Sequence, residues 1–266
     1  MMKRAVIIYF SGIIILVGQS LQVDQKVYDI ISDISADQLE KYVGKLVNFG
    51  TRHTLSDTVS DTRGIGASRR WIKKEFEKIS QACNGCLEVQ EQWSLAKGDP
   101  KSRIKKDTWI VNVYVVKRGT TYPNRYVIMS GDIDSRISDP LDGVGDSPGA
   151  NDNASGMAGA IELARVLSKH DYHSSIILAG LSGEEQGLFG GRFLAEKAKK
   201  EGWEIIGILN NDMIGNIEGV DGVIDNRTFR IFSEPFSILE TERQLKQKRF
   251  YGGENDSESR QLARHV

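Results

Sequence analysis

Ser130–Gly156 reads SGDIDSRISDPLDGVGDSPGANDNASG. It holds six aspartates, glycines near both ends and almost no large apolar residue. An apolar run, Tyr126-Val127-Ile128-Met129, leads into it. Beyond Asn153, Met157, Ala160, Ile161, Ala164 and Leu167 recur at helical spacing. A buried strand that breaks into an acidic loop and re-enters as a helix is a building unit of α/β sheets. Such loops, at the C-terminal ends of strands, are where these sheets gather their sites.

Working outward, the same alternation continues. Ser174–Ser182 (SSIILAGLS) is an unbroken apolar run, as a strand covered on both faces requires, and it ends at Gly183-Glu184-Glu185. Leu188–Lys199 reads as a helix, Ile205–Asn210 as a strand ending near Asp212, and Phe229–Phe232 as a further strand. Upstream, Ser35 caps a helix carrying Leu39, Tyr42, Val43, Leu46 and Val47 on one face. Ile65, Ser68, Ile72, Phe76 and Ile79 mark a second helix. Leu87–Trp93, Trp109–Val116 and Arg125–Ser130 read as strands. The order predicts an α/β fold with a mixed, mainly parallel sheet sandwiched between helices. Trp71, Trp93, Trp109 and Trp203 read as core or edge residues.

Lys+Arg 35 against Asp+Glu 36 leaves a net charge of -1, which speaks against nucleic acid or an anionic membrane as partner. Residues 1–20 depart from this pattern. Lys3-Arg4 precede Ala5–Phe10 and Ile13–Val17, and small residues follow. That is the layout of a signal peptide, and the run is short of the ~20 residues a membrane span needs. The chain therefore reads as residues 1–20, a leader, and 21–266, one domain. An exported protein, periplasmic or secreted, with no stable membrane association after cleavage, is expected. The Cys83-Asn-Gly-Cys86 spacing reads as a small local disulfide.

Each acid alone reads most simply as a solvated loop residue or a cap. Together they behave differently. Carboxylates converging at one sheet edge repel one another unless a cation neutralises them, and a divalent metal is the economical solution. Asp132 and Asp134 lie two apart beyond a strand, and Glu184 and Glu185 are adjacent, so in extended chain they face opposite ways.

Gly149-Ala-Asn-Asp-Asn-Ala-Ser-Gly156, Gly183-Glu-Glu-Gln-Gly-Leu188 and Asn211-Asp-Met-Ile-Gly215 together resemble the M28 family of zinc aminopeptidases and carboxypeptidases. The likeness runs over roughly residues 45 to 266, with Gly50-Thr-Arg-His-Thr54 as a weaker echo. It implies a peptide substrate and a pair of divalent ions, ordinarily zinc. Asp152 matches the bridging carboxylate, Glu185 and Asp212 match ligands to one ion each, and Glu184 matches the general base. Asp134 matches the acid that orients a ligand in a His-x-Asp motif. The implied reaction is hydrolysis of an N-terminal peptide bond by a metal-activated water.

Two departures accompany the resemblance. Asp132 stands where the family has a histidine ligand. An all-oxygen set of Asp132, Asp152 and Asp212 shifts preference toward Mn²⁺ or Mg²⁺. The family's last histidine, in a Gly-Asp-His or Ser-Asp-His setting, has no counterpart: the histidines are His53, His170, His173 and His265. His265 reads as a chain-end residue. The final helical pattern, capped by Asp256 or Ser257, stops without a C-cap signal, so the domain is expected to be incomplete at its C-terminus. Three alternatives stay open: the departures allow a catalytically impaired M28-like protein, the resemblance also extends to a glutaminyl-cyclase-like transferase on the same scaffold, and the cleft could serve a peptide-binding module without chemistry.

Overall fold

The computed structural model describes residues 24–266, so the leader reading of 1–20 lies outside the described residues. The chain divides into two compact units, the second being Ile34–Val266. Of the first, α1 (Gln25–Ser32) is described. Asp24 caps it, accepting a hydrogen bond from the Lys26 amide.

The second unit is built on a five-stranded sheet ordered β1-β2-β4-β3-β5. Its strands are β1 (Glu88–Ala96), β2 (Thr108–Lys117), β3 (Tyr122–Asp132), β4 (Ser174–Leu181) and β5 (Glu204–Asn210). The sheet is mixed, as the sequence predicts. β4-β3-β5 are parallel, and β1 and β2 are added antiparallel. The helices are α2 (Ala36–Val47), α3 (Gly64–Ala82), α4 (Gly156–Leu167), α5 (Phe189–Glu201), α6 (Glu242–Tyr251) and α7 (Glu258–His265). Ser35 caps α2 through the Gln38 amide, and Ser257 caps α7 through the Arg260 amide. No helix among the described residues is long and apolar enough to cross a membrane.

The continuous apolar runs have a direct explanation. Along β2, Val113 and Val115 pack with Ile72 and Phe76 of α3 and Met157 and Ile161 of α4. Their neighbours Tyr114 and Val116 join Tyr126, Ile128, Ile177 and Leu194 of α5 in a second cluster. The two-residue period of a strand sends alternate side chains to opposite faces, and helices cover both. Ile161 is fully buried in the first cluster. Ile161→Val should therefore lower stability by about 1 kcal/mol, read as a shift in the urea midpoint with an unchanged slope.

Phe229–Phe232 corrects the sequence reading. It forms no strand; its aromatic residues are exposed, and it pairs with no neighbouring backbone among the described residues. A short apolar run carries no information about whether a strand partner is present. Cys83 and Cys86 are joined as a disulfide across the Asn84-Gly85 turn, as expected. Trp71 packs against the first core cluster and Trp203 against the second, while Trp93 and Trp109 pair edge-on on β1 and β2.

Candidate active site

The acidic stretches meet at the C-terminal edge of the parallel strands. β3 ends at Asp132, β4 runs into Gly183-Glu184-Glu185, and β5 runs into Asn211-Asp212. Close backbone contact draws these loops together. A Cβ added at Gly131 would lie 2.4 Å from the carbonyl carbon of Gly156, and one at Gly156 would lie 2.2 Å from the Asn211 oxygen. Only glycine lets β3, the start of α4 and the loop after β5 approach this closely.

Asp132 is buried, and its Oδ2 accepts a hydrogen bond from Asn153 Nδ2 at 2.8 Å. The same amide nitrogen donates to Asn211 O at 2.8 Å, so one side chain ties the ends of β3 and β5 to the turn before α4. Asp152 and Asp212 are exposed on their loops, and the Asp152–Asn153 peptide is cis. Asp134 is 1% exposed and fully engaged. Its Oδ2 accepts from Thr54 Oγ1 at 2.8 Å and from the Glu185 amide at 3.2 Å, and its Oδ1 accepts from the Glu184 amide at 3.2 Å. Asp134 therefore fixes the turn that presents the two glutamates. Glu185 is buried and forms an ion pair with Arg136, and its carbonyl accepts from Arg103. Glu184 is half-buried and has no ion pair among the described residues.

Burial first, then the charge of Asp134, pushes Asp132 up to about 8, with the Asn153 hydrogen bond opposing. Burial and the charges of Asp134, Glu185, Asp212 and Asp152 push Glu184 up to about 7. Asp212 is raised by burial and by Asp152. Burial raises Glu185 against the pull of Arg136. These mutual effects place the acids in one electrostatic neighbourhood. No three His, Cys, Asp or Glu side chains among the described residues close on a common point as metal ligands do. The oxygen-rich donor chemistry suits a divalent cation, which would relieve the repulsion, but Glu185 must first leave Arg136.

The raised values have a definite consequence for the metal-free chain. The folded state binds extra protons at Asp132 and Glu184 above the ordinary carboxylate range near pH 4. The associated stability is complete below that range and is lost as pH rises through about 7 and about 8. Between about pH 5 and about pH 9, the chelated protein should lose on the order of 4 kcal/mol, most of it from the buried Asp132 and a smaller, solvent-screened part from the half-buried Glu184. Thermal melts at several pH values check this, and added divalent metal should flatten the dependence.

The sequence reading missed the residues that support the acids. Arg52 is 1% exposed and spreads its guanidinium over four carbonyls: Ile133, Leu46, Pro148 and Gly149. It thereby ties the acidic loop to α2. Thr54 and Asn153 are the other two, and the only signal was the Gly50–Thr54 echo and the Asn-Asp-Asn motif. His53 is not aimed at the acids. Its Nδ1 accepts from the Leu55 amide, and its Nε2 lies 3.1 Å from Pro140 O and 3.1 Å from the Gln186 side-chain nitrogen. His173 Nδ1 contacts Thr121 in the connection at the other end of the sheet, and His265 ends α7.

Comparison with known proteins agrees with this architecture. The fold is shared with a crystal structure of the Legionella pneumophila LapA aminopeptidase (TM-score 0.55, 18% identity, 80% of this chain and 51% of that chain). It is also shared with Porphyromonas gingivalis glutaminyl cyclase (TM-score 0.54, 22% identity, 69% and 60%). A "Probable zinc metalloprotease" of Pyrenophora tritici-repentis is 44% identical over 91% of this chain and 50% of its own length. Residues 112–249 match Peptidase family M28, to which the chain belongs. The chain spans about half the length of the curated relatives it matches.

Proposed function

We propose that the chain is a metal-dependent exopeptidase, acting as an aminopeptidase on the N-terminal bond of peptides outside the cytoplasm. The observation that carries this reading is Glu184, a half-buried carboxylate raised to about 7, on a turn whose amides Asp134 holds. A base with that value is matched to proton transfer near neutral pH. Asp152, Glu185, Asp212 and Asp132 would hold two divalent ions, zinc by family, with the Asp132 position open to Mn²⁺ or Mg²⁺ because it offers oxygen where zinc sites favour nitrogen. When bound, the ions supply Lewis-acid polarisation of the scissile carbonyl and a lowered water pKa. Glu184 takes the proton of the attacking water and passes it to the leaving amine. Asp134 keeps Glu184 in position. Asp132 and Asn153 join β3 to the turn carrying Asp152.

The test combines metal analysis of the purified chain with hydrolysis of aminoacyl anilides. Turnover that disappears on chelation and returns with Zn²⁺ or Mn²⁺ supports the reading. Metal bound in stoichiometric amount without turnover would sink it in favour of an impaired protein. The glutaminyl cyclase likeness favours one second reading, transfer within an N-terminal glutaminyl peptide. Product analysis separates the two, since cyclisation leaves the peptide intact and releases ammonia.

Metal preference gives a further expected outcome. Reconstitution of the chelated chain should restore at least as much activity with Mn²⁺ as with Zn²⁺, because Asp132 replaces a nitrogen donor with a hard oxygen. A strict zinc requirement would count against this preference for harder ions, since zinc also accepts a carboxylate ligand.

A further inference from the structure

A cavity of about 800 Å³ lies beside the acidic site, on the β1–β2 side of the sheet, and none of the acids discussed above lines it. Its wall includes Thr54, Arg69, Trp93, Lys106, Trp109 and Val111. The volume lies in the range of small-molecule sites, and the wall sets apolar and aromatic surface beside charged side chains, among which the basic Arg69, Arg70, Lys105 and Lys106 outnumber the acidic Glu91 and Asp107.

Arg69, on α3, is the unusual member. It is 6% exposed. Among the described residues its Nε reaches only Ser182 Oγ, at 3.4 Å, and its Nη2 is buried with no hydrogen-bond partner. The nearest acids are committed elsewhere. Asp134 accepts from Thr54 and the two glutamate amides, and Glu91, also on the wall, is paired with Lys73 at 2.8 Å. A buried guanidinium without an acceptor is costly, and its planar fork matches a carboxylate. Trp93 and Trp109 are 60% and 53% exposed, with ring centroids 6.3 Å apart. Two large rings left open to water beside a cavity present an apolar surface that a ligand can cover. Lys106, exposed on the same wall, adds positive charge.

We propose that this cavity binds a carboxylate carried on an aromatic or branched aliphatic body, the carboxylate against Arg69 and the body against Trp93 and Trp109. The ligand could be a free organic acid or the C-terminal residue of a short peptide. Thr54 links the site to the acids, because it lines the cavity and donates to Asp134. The proposal does not depend on hydrolysis.

The full chain is titrated with 3-phenylpropionate, with the tripeptide Gly-Gly-Phe, and with N-acetylphenylalaninamide, which keeps the ring but lacks the carboxylate. Calorimetry and intrinsic tryptophan fluorescence follow binding, in the protein as purified and after chelation. Saturable binding that survives chelation is expected. The amide should bind about tenfold more weakly or worse, and Arg69→Gln should weaken the acids by a similar factor. Because Arg69 is buried, Trp109→Ala provides a second arm at an exposed position, with an expected loss of about tenfold for both acids. Tighter binding of the free acid assigns the site to small acids, and tighter binding of the tripeptide assigns it to peptide C-termini. Equal affinity for acid and amide, or binding lost on chelation, would overturn the proposal. So would unchanged binding in both variants, or no saturable binding at all.

Discussion

Glu184→Gln should lower turnover of an aminoacyl anilide by about a thousandfold, with KM and metal content little changed. The substitution is nearly isosteric. It removes the one group in the site that combines a value near 7 with freedom from an ion pair. Its backbone stays anchored, since the Glu184 amide bonds to Asp134 whichever side chain is present. The fold should therefore be untouched, and melting at pH 6 checks this. Because the raised carboxylate itself destabilises the folded chain at high pH, the variant should melt at a slightly higher temperature than the parent near pH 9 in the absence of metal. A variant that kept more than about a tenth of parental activity would remove Glu184 from the proton-transfer role.

The parallel strands and their acidic ends were legible because two independent sequence signals coincide. Continuous apolar runs such as Ser174–Ser182 mark strands covered on both faces, and breaks into Asp and Glu mark their C-terminal ends. The tertiary contacts that make those acids a site were not legible. Asp134 reads from sequence as a partner of the residue two before it. In the structure its oxygens hold Thr54, 80 residues away, and the amides of the following glutamates. Arg136, which no sequence motif singles out, pairs with Glu185 across the edge. Hydrogen bonds between distant loops leave no periodicity. Phe229–Phe232 shows the converse failure: local β-propensity without a partner strand makes no strand.

The largest stability effect should come from a residue outside the acidic cluster. Arg52→Met is expected to cost about 3–5 kcal/mol, a large share of the 5–15 kcal/mol that typically separates folded from unfolded domains. Arg52 donates to Ile133 O at 2.9 Å, to Leu46 O at 3.1 Å, to Pro148 O at 2.6 Å and to Gly149 O at 2.9 Å. Burial draws its pKa down to about 10, with Asp134 and Asp152 opposing, so it stays charged at neutral pH. Methionine fills much of the same volume but leaves carbonyls from three separate segments without donors, each a desolvated acceptor. Arg52→Lys should recover only a minor part, because one ammonium cannot span acceptors arranged around a planar fork. The functional consequence follows from the same bonds. Gly149 immediately precedes the turn that carries Asp152, so loosening it lets that carboxylate wander. Metal affinity should then fall together with the urea midpoint, whereas Ile161→Val should lower the midpoint alone. If Arg52→Met lost less than about 1 kcal/mol, the guanidinium would be a passenger in a loop held by its backbone.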